Sequence, residues 1–221
     1  HHLCAAKAMD VVSGVRSDVL TPTADKMRRL MHYGQIFQSH VLHFFHLASP
    51  DLLFGMESDP AHRNVVGVLA SFPEIGRKAV LMRKFGQEVI RVTAGKKIHG
   101  TGAIPGGINK HLTGDERDGL LVGTPDVNAD RMVEWAQEGV ALFRDYQVAH
   151  APFIDGFAAF PSNYLSLVRA DGAMDLYHGG LRAVDSEGRT IFDHVDYQQY
   201  AEYIAEEIRS WTYMKFPFIR S

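Results

Sequence analysis

The chain has 221 residues, 46% hydrophobic and 22% charged, with a formal net charge of −3 and a pI near 6.5. It is long enough to bury roughly 70–75% of its unfolded surface as one unit, and it lacks the basic excess of a nucleic-acid face. No window approaches the roughly 18 uninterrupted apolar residues that a membrane helix needs. A single cysteine, Cys4, excludes an internal disulfide framework and any two- or four-cysteine zinc or iron–sulfur site within these residues. With no secretory signal at its start, the cytoplasm is the expected compartment. Both ends read as cut through structure: the chain opens on His1 inside a helical pattern and stops at Ser221, shortly after another.

In chain order, Leu3, Ala6, Met9 and Val12 space a first helix over 1–15. Thr21-Pro22 with Asp25 marks a helix start, and the apolar set from Met27 through Met31, Phe37, Val41 and Phe45 to Leu47 continues it for about seven turns, roughly 40 Å. This helix is expected to end at Ser49-Pro50, because proline disfavours helical geometry in the residue before it. Gly34, in mid-helix, costs about 1 kcal/mol relative to alanine, and close approach of another backbone is the expected compensation.

A third helix is expected from Asp59-Pro60 to Leu69, a fourth from Glu74 to Thr93, and a loop or short helix over 109–123. A fifth helix is expected from Thr124 to Ala149, with Met132, Trp135, Val140, Leu142 and Phe143 facing inward. From Phe160 the period changes to that of strands: 164–168, 179–184 and 190–192, separated by Asp171-Gly172 and Ser186-Glu187-Gly188 turns. Tyr197 to Trp211 reads as a closing amphipathic helix. The expected fold is mainly helical (α+β), a bundle-like core of long helices with a small antiparallel β subdomain. Its parts are a helical core over 1–159, incomplete at its start, a β-rich piece over 160–195, and a truncated helix over 196–221 returning to the core.

Several motifs invite chemistry. The glycine-rich stretch 100–107 lacks a Gly-Lys-Ser/Thr ending and a preceding strand, and contains Pro105, so it is not a phosphate loop. Twelve histidines occur, four of them at His32, His40, His43 and His46. The last three are three residues apart, so they drift around a helix by about 60° per step, and no Glu-x-x-His pair accompanies them. Hydrogen-bonded core or interface histidines fit this pattern better than direct metal ligands. Cys4 reads as a small helix residue rather than a nucleophile. Asp51, just after Pro50 and before Leu52-Leu53-Phe54, is either a helix cap or a carboxylate held against apolar surroundings by a cation.

The run His32-Tyr-Gly-Gln-Ile-Phe-Gln-Ser-His-Val-Leu-His-Phe-Phe-His-Leu-Ala-Ser-Pro-Asp51 resembles the long central helix of nickel–iron hydrogenase large subunits. Arg83-Lys84-Phe85-Gly86-Gln87-Glu88, His99-Gly-Thr-Gly-Ala-Ile-Pro-Gly-Gly107 and Trp211-Thr-Tyr-Met-Lys-Phe-Pro217 resemble the soluble, NAD(P)-reducing branch. In that family a Cys-x-x-Cys pair shortly precedes a histidine and a helix like the one beginning His1-His2-Leu3-Cys4-Ala5-Ala6-Lys7-Ala8, and a second pair lies near the C-terminus. The resemblance therefore implies an internal piece of the large subunit, without either ligand pair and with no metal ligand of its own.

It further implies, for the intact protein, a nickel–iron centre with carbon monoxide and cyanide ligands that splits H2 heterolytically. The implied partners are diaphorase-type subunits that reduce NAD(P), together with an iron–sulfur small subunit. His1 and Asp51 would stand beside the metal centre without ligating it, Asp51 orienting an arginine absent from this chain. His40, His43, His46 and His99 would serve as proton relays or supporting groups, and Gly106-Gly107 would pack. The piece itself would bind no nickel and be inactive. Two other readings remain: a metal-free helical scaffold of the same fold, as in quinone-binding respiratory subunits, and a histidine-ligated helical metalloprotein.

Overall fold

The computed structural model describes residues 1–16 and 19–220; Ser221, the last residue of the run that closes the sequence, lies outside them. The described residues form two compact units, His1–Ala151 and Pro152–Ser221. About 53% helix and 15% strand in small antiparallel sheets make the fold α+β.

The first unit is built on two long helices. In α2 (Pro22–Leu42) the Thr21 hydroxyl caps the start by accepting from Ala24 N at 3.2 Å, with Pro22 and Asp25 in the first turn. Its buried residues, Ala24, Met27, Arg28, Met31, Gly34 and Val41, keep the three-and-four spacing of one face. That face packs on α5 (Pro73–Ala94), which buries Ala79, Met82, Gly86, Val89 and Ile90 and stops where Gly95 turns left-handed, φ 80°. At the crossing the two helices touch. A Cβ on Gly34 would lie 2.6 Å from Val89 Cγ1, and one on Gly86 would lie 2.6 Å from Gln38 Cβ and 3.0 Å from its Cα. The cost of Gly34 is thus offset by an approach that a side chain would forbid.

The helix does not stop at Pro50. After Leu42 the backbone widens into a π-helical turn, His43–Ala48, and continues as α3, Ser49–Phe54. Pro50 falls in the first turn of α3, where a missing N–H costs nothing, and Ser49 stays helical (φ −59°, ψ −35°) with its hydroxyl donating to Phe45 O at 2.7 Å. The break expected at Ser49-Pro50 is absorbed by the wider turn. Asp59-Pro60 is a turn rather than a helix start. Asn64 caps α4 (Val65–Ser71) instead, accepting from Val66 N and Gly67 N.

Further elements surround the central pair. α1 (His2–Val12) buries Leu3, Ala6 and Asp10 on one face, and a tight hairpin pairs β1 (Ala103–Ile104) with β2 (Gly107–Ile108). α6 (Gly114–Leu121) is closed by a Thr113/Glu116 capping box. α7 (Ala129–Ala149) starts at an Asn128 cap, later than Thr124 suggests, because Thr124–Val127 closes on itself as a turn. Met132 and Trp135 join the core with Val41, Phe45, Ala79 and Met82. Val140, Leu142 and Phe143 do not, being 53%, 37% and 40% exposed; only the first half of α7 packs deeply.

α8 (Ala151–Gly156) leads into the second unit. There β3 (Tyr164–Val168), β4 (Gly180–Val184) and β5 (Thr190–Val195) form an antiparallel sheet in that order, with Tyr164 opposite Val184 and Val168 opposite Gly180. The helix expected over 197–211 is not formed. A short α9 (Tyr200–Tyr203) gives way to β6 (Ile204–Ile208), which pairs with β7 (Lys215–Ile219), Ile204 opposite Ile219. Ala205-Glu206-Glu207 favours helix locally, but the hairpin partner satisfies the backbone instead.

Candidate functional site

A buried charged network sets the frame. Arg28 is fully buried and Asp10 5% exposed. Arg28 Nη1 and Nη2 donate to the two Asp10 oxygens at 2.6 and 3.2 Å. The same guanidinium donates to Gly107 O at 3.0 Å and Ile104 O at 2.6 Å, while Gly106 N donates to Asp10 at 2.8 Å. One ion pair thereby joins α1, α2 and the glycine hairpin, with the charged groups of both partners hydrogen-bonded, as a buried pair requires. Burial pushes the Asp10 carboxyl up, but the Arg28 and Gly106 hydrogen bonds outweigh it and hold it below the ordinary range. Gly106 and Gly107 thus have a packing part that uses their backbone alone.

The six singled-out residues do not converge. His1 and His99 line one polar cleft of about 310 Å³ between the start of α1, the middle of α2, α5 and the loop after it. His99 reaches it from a left-handed backbone, φ 52°, a conformation histidine tolerates better than most residues. His40 and His43 line a different, more apolar cleft of about 480 Å³ with Phe37, Phe44, Val140 and Phe143. His40 Nδ1 is 2.8 Å from Ile36 O. His46 faces a third cleft with Arg83, Lys84 and Gln87. The π turn carries His46 off the His40–His43 face, which a regular helix would not do as sharply. Burial, with the Arg83 charge acting the same way, lowers the His46 imidazole against a weaker raising effect of the Val41 carbonyl.

Asp51 reaches none of these clefts. It lies in the first turn of α3, 45% exposed at its side chain, with Arg63 Nε 3.4 Å from its carboxylate. Among the described residues Arg63 is its charged partner; the further arginine expected beyond this chain lies outside them. Sequence reading missed Asp10, Arg28 and Arg83. The first two had a signal, because each falls on the apolar stripe of its helix, Leu3-Ala6-Asp10 and Ala24-Met27-Arg28-Met31. Arg83 stands among Arg77, Lys78, Lys84, Glu88 and Arg91, mixed charges that give no local sign of burial, yet its Nε is buried.

The side chains present do not fit a thiolate-held nickel–iron centre by themselves. Cys4 is exposed, and among the described residues no three His, Cys, Asp or Glu groups come together as ligands. No helix among them is long and apolar enough to cross a membrane.

No protein-family model matches the chain. It is 43% identical over 224 residues to the NAD-reducing hydrogenase HoxS subunit beta of Cupriavidus necator, covering all of this chain and 46% of that protein. To a component of the F420-non-reducing hydrogenase vhu of Methanocaldococcus jannaschii it is 37% identical over 220 residues, again along its whole length and over 50% of the relative. The crystal structure of an NAD+-reducing [NiFe]-hydrogenase in the H2-reduced state superposes with a TM-score of 0.91 at 50% identity, over the whole chain and 47% of that one. The chain spans about half the length of the relatives it matches. Along its full 221 residues the chain is homologous to subunits of hydrogenases.

Proposed function

We propose that this chain is an internal segment of the large, catalytic subunit of a nickel–iron hydrogenase of the soluble NAD(P)-reducing type. The observation that carries the reading is the match to the NAD+-reducing enzyme, 50% identity with a TM-score of 0.91 over the entire chain. In the intact protein a nickel–iron centre bearing carbon monoxide and cyanide would supply reversible H2 oxidation. Its thiolates would come from cysteines outside these residues, since this chain has only Cys4.

The segment's own contribution is then a rigid helical frame and three clefts opening on histidines. His1 and His99 sit in the polar cleft, His40 and His43 in the apolar one, and His46 beside Arg83. Outer groups of this kind orient ligands and tune proton affinity. Asp51, paired with Arg63, would act by positioning rather than by contact. The proposed partners are diaphorase-type subunits together with an iron–sulfur small subunit, and the proposed compartment is the cytoplasm.

The test is H2-dependent NAD(P)+ reduction by the gene product that contains this chain, produced with its neighbouring subunits and nickel. Activity is expected in that complex, and neither nickel nor activity in the 221-residue segment alone. A complex that contains nickel yet reduces no NAD(P)+ under H2, or a gene without the two flanking Cys-x-x-Cys pairs, would overturn the reading.

A further inference from the structure

Arg83 lines two clefts at once, the polar one shared with His1 and His99 and the smaller one shared with His46. Its Nε is buried and meets no hydrogen-bond acceptor among the described residues, and His2 Nε2, lining the same polar cleft, is a second buried nitrogen in that condition. Buried donors are almost always satisfied in folded proteins, and a charged one left unmade is costly. Arg28 shows the contrast within the same unit, since its guanidinium spends its donors on Asp10 and two carbonyls.

The rest of the polar cleft sharpens the point. Lys97 adds a second fixed positive charge, Gln35, Gln38 and Gln87 add amides, and among the described residues no aspartate or glutamate lines it. The cleft is therefore cationic without an internal counter-charge. A guanidinium presents its donors in a fixed planar fork that matches a carboxylate. The neighbouring amides can donate to the same group or accept from a protonated one.

We propose that this cleft is a carboxylate-binding site, in which Arg83 and His2 donate to the bound group and Lys97 adds positive charge. The carboxylate has two possible sources with the same chemistry: a free small carboxylate, or an aspartate or glutamate on a polypeptide segment other than the described residues. The site concerns binding alone, so it stands or falls independently of the hydrogenase reading.

Two measurements on the intact protein test it and separate the sources. In the first, Arg83→Lys places a primary amine at the cleft, and a water-soluble carbodiimide joins it to any adjacent carboxylate. A new amide cross-link at position 83, found by peptide mass spectrometry and absent from the wild type, identifies a polypeptide carboxylate and names it. In the second, acetate is titrated at constant ionic strength against chloride, following thermal unfolding and the His2 ring-nitrogen resonance of the wild type. Saturable change in both, weakened at least about tenfold in Arg83→Gln, identifies a free carboxylate. The presence or absence of a saturable acetate response is read on the unmodified protein, so that outcome stands whether or not either variant folds. No cross-link together with no saturable acetate response overturns the proposal.

Discussion

Both units of this chain hold arginine–aspartate pairs, and one pair from each shows how burial changes what such a pair does. In the helical unit Arg28 and Asp10 are interior, and the pair anchors a backbone hairpin that has almost no side-chain core of its own. In the β unit the pairs are at the surface: Arg182 holds Asp193 across β4 and β5 at 2.7 and 2.8 Å, with side chains 28% and 36% exposed. There aspartate mainly shapes turns. Asp185 accepts from Glu187 N and Arg189 N, and Asp175 from Tyr177 N and His178 N. Burial decides the difference, because water competes with the second kind and not with the first.

The largest expected effect tests that claim directly. Asp10→Asn leaves a buried guanidinium short of its counter-charge and is expected to cost about 3–5 kcal/mol in urea unfolding followed by circular dichroism. The pair also has an acid signature. Because the folded Asp10 carboxyl lies below its unfolded value, its contribution is full above the unfolded pKa of about 3.9. It is lost as pH falls from there through the folded value, and the variant should lack that part of the acid limb. A loss under about 1 kcal/mol, the range of a surface pair, would erase the contrast.

Gly86→Ala ranks second. Alanine's helix propensity favours it by about 1 kcal/mol, but overpacking against the backbone of Gln38 opposes it by about 1–3 kcal/mol. A net loss is expected, and an unchanged or higher unfolding midpoint would show that the two helices can separate without penalty. The smallest effect belongs to Arg182→Gln. Its urea midpoint should move by a small fraction of the change produced by Asp10→Asn, and less still in high salt. A comparable shift would mean that the sheet depends on its surface charges.

What was legible in the sequence follows the reach of each interaction. The spacing from Ala24 to Val41 and the turns at Asp171-Gly172 and Gly188 are local, and the structure has them. So was the approach implied by Gly34. The stretch 204–208 was not legible, because its helical composition is overridden by a partner at 215–219. Val140 and Phe143 have core chemistry but sit where α7 leaves the core, a fact about neighbours rather than spacing. The histidines were visible as a group, yet the π turn that divides them among clefts has no simple signal in His-Phe-Phe-His-Leu-Ala. Arg63 beside Asp51 depends on how the chain folds back after α3.

The contact of Gly34 and Gly86 has a consequence beyond stability. Gln38, whose backbone Gly86 touches, also lines the polar cleft, as do Gln35 on the same helix and Arg83 and Gln87 on the facing one. Two residues without side chains therefore act as a gauge, fixing the gap that the flanking rows of amide and guanidinium groups must span.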